Sequence, residues 1–199
     1  NVPKFYDGVP DLPDDVHSQW QALNFDHETF LGDVGLSVLA GEKNYSPLEM
    51  IWSRPTCEIN GIYGGYTGEG FKTVLPSQAC AKVSFRLVGN QDPIAIRENL
   101  HAYVHDMLPA DCEVRFEHHE ASAGSVMSTE APAFEAARQA LSQEWPDSAA
   151  FIGCGGSIPI AGHFQDITGV TPILIGFGKD HDQLHSPNEK YDLESFHKG

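Results

Sequence analysis

The chain has 199 residues, 41% of them apolar, which suits one domain with a core and part of a second. Twelve Lys and Arg stand against 28 Asp and Glu, giving a formal charge of −16. A field of that sign repels phosphate backbones and anionic lipid, so nucleic-acid and membrane-surface roles fall away. No apolar run approaches the roughly 18 residues a membrane helix needs, and a chain of this length is expected to bury about 70% of its extended surface on folding.

Residues 1–54 are acidic and discontinuous, with helices predicted at Pro13–Leu23, His27–Gly35 and Ser46–Arg54. A strand follows at Pro55–Ile62, then the glycine-rich Tyr63-Gly-Gly-Tyr-Thr-Gly-Glu-Gly70 and a second strand at Ala79–Val88. In that strand Ala81, Val83, Phe85 and Leu87 alternate with Lys82, Ser84 and Arg86, predicting one packed face and one polar face. Asp92-Pro93 reads as a cap and first residue of a helix over Asp92–Leu108, burying Ile96, Leu100 and Met107. A third strand is predicted at Cys112–Glu120, with Val114 and Phe116 inward, and a helix at Ser128–Trp145 with Phe134, Ala137, Leu141 and Trp145 as its stripe. Strand, helix, strand, helix with one polar sheet face describes an open-faced α/β sandwich over residues 55–145. Beyond Pro146, Ala149–Ile152 and Pro172–Phe177 read as buried strands flanking a helix near Ile158–Thr168, a piece of a second α/β domain covered on both sides.

Four cysteines (Cys57, Cys80, Cys112, Cys154) form no C-x-x-C pair, so reduced thiols in a cytosolic protein are the simplest reading. The chain opens on Asn1-Val-Pro-Lys, without an initiator Met or signal peptide, and closes on Phe196-His-Lys-Gly; both ends read as cut.

Several segments carry chemistry. Gly155-Gly-Ser-Ile-Pro-Ile160 stands between a strand and a helix, where it is either a tight turn or a cradle for a carboxylate or oxyanion. Asp180-His-Asp-Gln-Leu-His-Ser-Pro-Asn-Glu189 follows a strand's carboxyl end, where α/β sheets bind ligands. His185 in it is one imidazole, whereas a zinc site needs three or four protein ligands; a free-standing site of His181, Asp182 and His185 is a weaker alternative. His101 and His105 have i, i+4 spacing but share their stripe with Arg97, so a solvated face is expected. His118 and His119 end the third strand. Arg86 either pairs with a carboxylate on the adjacent strand or binds a substrate carboxylate bidentately. No G-x-S-x-G, P-loop or dinucleotide fingerprint is present.

Arg54-Pro-Thr-Cys-Glu-Ile-Asn-Gly, Lys72-Thr-Val-Leu-Pro76, Ala81-Lys-Val-Ser-Phe-Arg-Leu-Val88, Gln91-Asp-Pro93, Gly155-Gly-Ser-Ile-Pro-Ile160 and His185-Ser-Pro-Asn-Glu189, in this order, resemble the M20 family of metallopeptidases, nearest its carnosinase-like dipeptidase branch. The resemblance implies a ferredoxin-like lid, or dimerisation, domain over residues 1–146 and the C-terminal segment of a catalytic domain over 147–199. It implies a cytosolic enzyme with two divalent ions, zinc or manganese, hydrolysing a small peptide or acyl-amino-acid, and a homodimer formed through the lid. His185 matches a metal ligand. Arg86, Thr73, Gly156, Ser157 and one of His118 and His119 match substrate-binding positions. No catalytic residue falls inside the chain, because the general base and the remaining metal ligands match positions upstream of Asn1, so the chain alone is expected to be inactive. Cys154 departs from the acidic residue usual before Gly-Gly. A non-catalytic dimerisation module is the alternative.

Overall fold

The computed structural model describes residues 2–155 and 158–199. Its elements are α1 (Asp14–Gln21), α2 (His27–Asp33), α3 (Pro47–Trp52), β1 (Thr56–Gly64), β2 (Ala79–Arg86), α4 (Pro93–Met107), α5 (Pro132–Glu144), α6 (Pro159–Thr168), a 3-10 turn at Asp180–Asp182 and α7 (Leu193–Lys198). No helix among the described residues is long and apolar enough to cross a membrane. The chain is thus α/β, with a two-stranded antiparallel sheet.

Three of the helices, α2, α3 and α4, start where a side chain supplies acceptors for their free N–H groups. Asp26 accepts from the Glu28 and Thr29 amides, each at 3.1 Å. Ser46 and Glu49 form a reciprocal capping box, and Asp92 accepts from Ile94 and Ala95 ahead of Pro93.

Pairing of β1 with β2 sets Cys57 opposite Phe85, Ile59 opposite Val83 and Ile62 opposite Ala81. Asn60 falls between the pairs Ile59–Val83 and Gly61–Lys82 as a bulge. That extra residue rephases β1, so Cys57, Ile59 and Ile62 share one face with Phe85, Val83 and Ala81. Thr56, Glu58 and Tyr63 share the other with Arg86, Ser84 and Cys80. The predicted packed face is nonetheless open. Ile59, Ile62 and Val83 are 57%, 77% and 38% exposed, and within β2 only Phe85 is half-buried, its ring 5.6 Å from Phe5. The polar face of β1 is the better covered, with Thr56, Glu58 and Gly61 half-buried. Alternation decides which residues share a face; covering that face needs a second layer, and among the described residues no helix lies along this one in extended contact.

The other predicted strands form no ladder among the described residues. Along Cys112–Glu120 the expected alternation survives as half-buried Val114 and Phe116 between exposed Arg115 and Glu117. At Ala149–Ile152, side chains of α1 take the place of a partner strand: Gln19 accepts from the Phe151 amide at 2.9 Å and Trp20 donates to the Phe151 carbonyl at 3.0 Å. Ile173, Leu174 and Ile175, expected to be buried, are exposed, as is Met107 on α4. The exposed area of the 21.8 kDa chain, 15,372 Å², therefore exceeds the about 9,300 Å² of a compact monomer of this mass. The expectation of 70% burial is not met.

Two compact units divide the chain. The first comprises the described residues of Asn1–Leu12, Phe25–Val126 and Gly153–Pro159, with Leu31, Leu48 and Ile96 buried. In it the Arg54 guanidinium forks onto Glu42 at 2.8 and 2.7 Å and lies 4.4 Å from the Tyr45 ring centroid. Gln91, 1% exposed, accepts from the Val88 amide and donates to the Phe5 carbonyl, tying the N-terminal segment to the end of β2. The second unit comprises Pro13–Asn24, Met127–Ile152 and Ile160–Gly199, with Trp20, Phe134 and Ala161 buried.

Candidate functional site

In the first unit, Arg86 ends β2 on the polar face. Its Nε lies 3.4 Å from Glu58 Oε1 and its Nη1 donates to the Gly155 carbonyl at 2.6 Å. Glu58 is itself held by the hydroxyls of Thr56 and Ser84, the latter at 3.2 Å. Of the two sequence alternatives for Arg86, pairing with an adjacent-strand carboxylate is the one present. The pair is not closed to a ligand. The Arg86 side chain is 56% exposed, and an exposed ion pair is worth about 0–1 kcal/mol, so separating Arg86 from Glu58 costs little.

Gly155 sits where it does because the chain passes close to the end of α3. A Cβ on it would lie 2.8 Å from the Ile51 carbonyl oxygen, and one on Gly153 would meet the Trp52 backbone. Gly156 and Ser157 lie outside the described residues. Thr73 is exposed in the connection between β1 and β2, beside a cleft of about 380 Å³ lined by Tyr63, Tyr66, Lys72, Leu75 and Cys80 among others. The Cys80 thiol, bonded across the strands to the Tyr63 hydroxyl, raises the phenol's pKa.

His118 and His119 are both exposed. His118 approaches α4, its ring 6.5 Å from that of His101, which stacks on Phe116 at 3.8 Å. The expected solvated face of His101 and His105 is therefore half right: His105 is exposed, whereas His101 is partly covered. Desolvation first, then the charges of His118, Arg97 and His105, lower the His101 pKa.

In the second unit, His185 lies exposed on the loop after the 3-10 turn, in the left-handed region at φ 60°. As an open imidazole it fits one position of a metal's donor set and no more. The group that does converge among the described residues is His181, Asp182 and Asp192, without His185. Its chemistry is that of an ion-pair network. Lys190 Nζ reaches Asp182 Oδ1 at 3.1 Å and Asp192 Oδ1 at 2.9 Å, and Lys179 Nζ reaches Asp192 Oδ2 at 2.9 Å. Two ammonium groups already neutralise these carboxylates and repel a cation, so the free-standing metal site of His181, Asp182 and His185 is not supported.

A family model described as a peptidase dimerisation domain, of the M20 group, matches residues 11–112. The chain belongs to the M20 peptidase dimerisation family. Over its whole length it is 25% identical to the Cys-Gly metallodipeptidase of Schizosaccharomyces pombe and 26% identical to the human beta-Ala-His dipeptidase, covering 42% and 40% of them. Among solved structures, an M20 family metallo-carboxypeptidase from Sulfolobus solfataricus superposes on 99% of the chain with a TM-score of 0.84 at 26% identity, and the chain covers 45% of it. Human carnosine dipeptidase 1 shares the fold, with a TM-score of 0.80 at 24% identity over 99% of this chain and 43% of that one. This M20 chain thus spans about two fifths of the length of the curated relatives named.

Two partnerships in this M20 chain could not be assigned to named residues from the sequence. A carboxylate on the strand adjacent to Arg86 was one of the expected alternatives, but that Glu58 supplies it depends on the register that sets Thr56 opposite Arg86 and Glu58 opposite Ser84, which carries no local signal. The Asp182–Lys190 pair closes a loop, where no periodicity of the sequence marks which residues meet.

Proposed function

We infer that this chain is the lid and C-terminal segment of a longer dinuclear-metal dipeptidase of the M20 family, a cytoplasmic enzyme that hydrolyses a small peptide or acyl-amino-acid. The observation that carries the reading is the Arg86–Gly155 hydrogen bond. It joins, across 69 residues, the polar face of the lid sheet to the Gly-Gly-Ser segment that the family likeness assigns to substrate.

In this reading Arg86 holds the substrate's carboxylate by exchanging Glu58 for it, with Ser84 and Thr56 retaining Glu58 nearby. Thr73, Gly156, Ser157 and His118 or His119 contact the substrate's polar groups. His185 supplies one imidazole to a pair of zinc or manganese ions, which when bound polarise the scissile carbonyl and activate water. The open apolar face of the sheet and its edges, unpaired among the described residues, suit burial against further chain or a second copy, consistent with a homodimer. A chain that offers a single metal donor and no general base does not turn over by itself.

The test is hydrolysis of a dipeptide panel, with added zinc or manganese, by the full-length protein and by this chain alone. Turnover by the full-length protein only is the expected result. No turnover by either would favour a non-catalytic dimerisation module, and turnover by the isolated chain would refute the division of labour.

A further inference from the structure

The loop that carries His185 is closed at its neck. The Lys190 amide donates to the Asp182 carbonyl at 3.0 Å, and the Lys190 ammonium reaches Asp182 Oδ1 at 3.1 Å, so backbone and side chain pin the same two residues together. The Asp182 side chain is fully buried, and its second oxygen accepts from the Lys179 amide at 2.8 Å. Lys179 and Lys190 both reach Asp192, and His181 Nε2 lies 3.4 Å from the same carboxylate. Within the closed segment, residues 183–189, the Ser186 amide donates to Gln183, while Gln183, His185 and Asn188 all take positive φ of 54°, 60° and 64°. Side chains disfavour that backbone region, so three such residues in one short loop persist only where the surroundings over-determine them. The Asp182–Lys190 neck is that constraint.

We propose that Lys190, through Asp182, is a positioning residue for His185: the neck fixes the backbone at the loop tip and thereby aims the imidazole at a divalent cation. The inference rests on the proposed role of His185 as a metal ligand. Lys190 touches neither the imidazole nor a cation. Loss of its ammonium releases the loop and lowers metal affinity while the fold persists.

The experiment measures zinc affinity of the full-length protein by chelator competition, alongside its thermal midpoint, for wild type, Lys190→Met, Lys190→Arg and His185→Ala. Lys190 is 45% exposed on its side chain, which makes its replacement safer for folding than that of buried Asp182. Lys190→Met is expected to weaken zinc binding about 10-fold, the low end of what loss of a direct outer-sphere partner costs, with Lys190→Arg restoring it and the apo midpoint little changed. Wild-type affinity in Lys190→Met, together with loss in His185→Ala, would overturn the positioning role alone. Unchanged affinity in His185→Ala would overturn it together with the ligand assignment. Faster hydrogen exchange at the Ser186 and Lys190 amides in Lys190→Met of the present chain is the structural signature expected; unchanged exchange there would count against the neck.

Discussion

The His101 imidazole sits against Phe116 with Arg97, His105 and His118 nearby, and its pKa is depressed below the usual 6.5. A depressed value means the folded state binds the proton less readily than the unfolded chain. Its contribution to stability is therefore present above pH 6.5 and lost as pH falls through the folded value. A proton NMR titration of the ring is expected to give a midpoint below 6.5, moving back toward it in His118→Ala; a midpoint at or above 6.5 would contradict the stacked, desolvated ring. Arg54 is a second residue whose worth is local. Its guanidinium is paired in two bonds with Glu42 and lies over Tyr45, with only 12% of its side chain exposed, so Arg54→Met is expected to cost about 2 kcal/mol in urea unfolding. Loss below about 0.5 kcal/mol would show the pair to be ornamental.

Element by element, what was legible follows from what is local. Asp92-Pro93 and Ser46 mark helix starts because capping is decided within three residues, and both caps are present. The predicted start of α5 at Ser128 was early, since Pro132 fits the first helical position and pushes Ala131 to an extended conformation. Ala131 has no side chain to cap with, so Ala131→Asp is expected to stabilise the chain by about 0.5–1 kcal/mol, and Asp92→Ala to destabilise it by about 1 kcal/mol, both read from urea midpoints. The bounds of α4 and the existence of β1 and β2 were readable from alternation and turn residues. The fate of Cys112–Glu120 and Pro172–Phe177 was not, because a ladder depends on a partner that no local pattern names. At the candidate site, Arg86 was legible as a polar residue on a sheet face, while its partner Gly155 lies 69 residues away.

Across the whole molecule, the surplus of exposed area and the uncovered Ile59, Ile62 and Val83 follow from an α/β chain that covers 42% of a curated relative. Static light scattering of the isolated chain is expected to give a mass above 21.8 kDa at micromolar concentration, reduced by Ile62→Lys; a strict monomer would argue against pairing through the sheet. Arg86 is central to the proposed function, as the residue proposed to hold a substrate carboxylate. The direct test compares kcat/KM of the full-length protein for a dipeptide and for its C-terminal amide, before and after Arg86→Ala. The free acid is predicted to lose about 100-fold, the worth of a charge-assisted bond near 2.7 kcal/mol, with the amide changed less than about threefold. Equal loss on both substrates would contradict the carboxylate role.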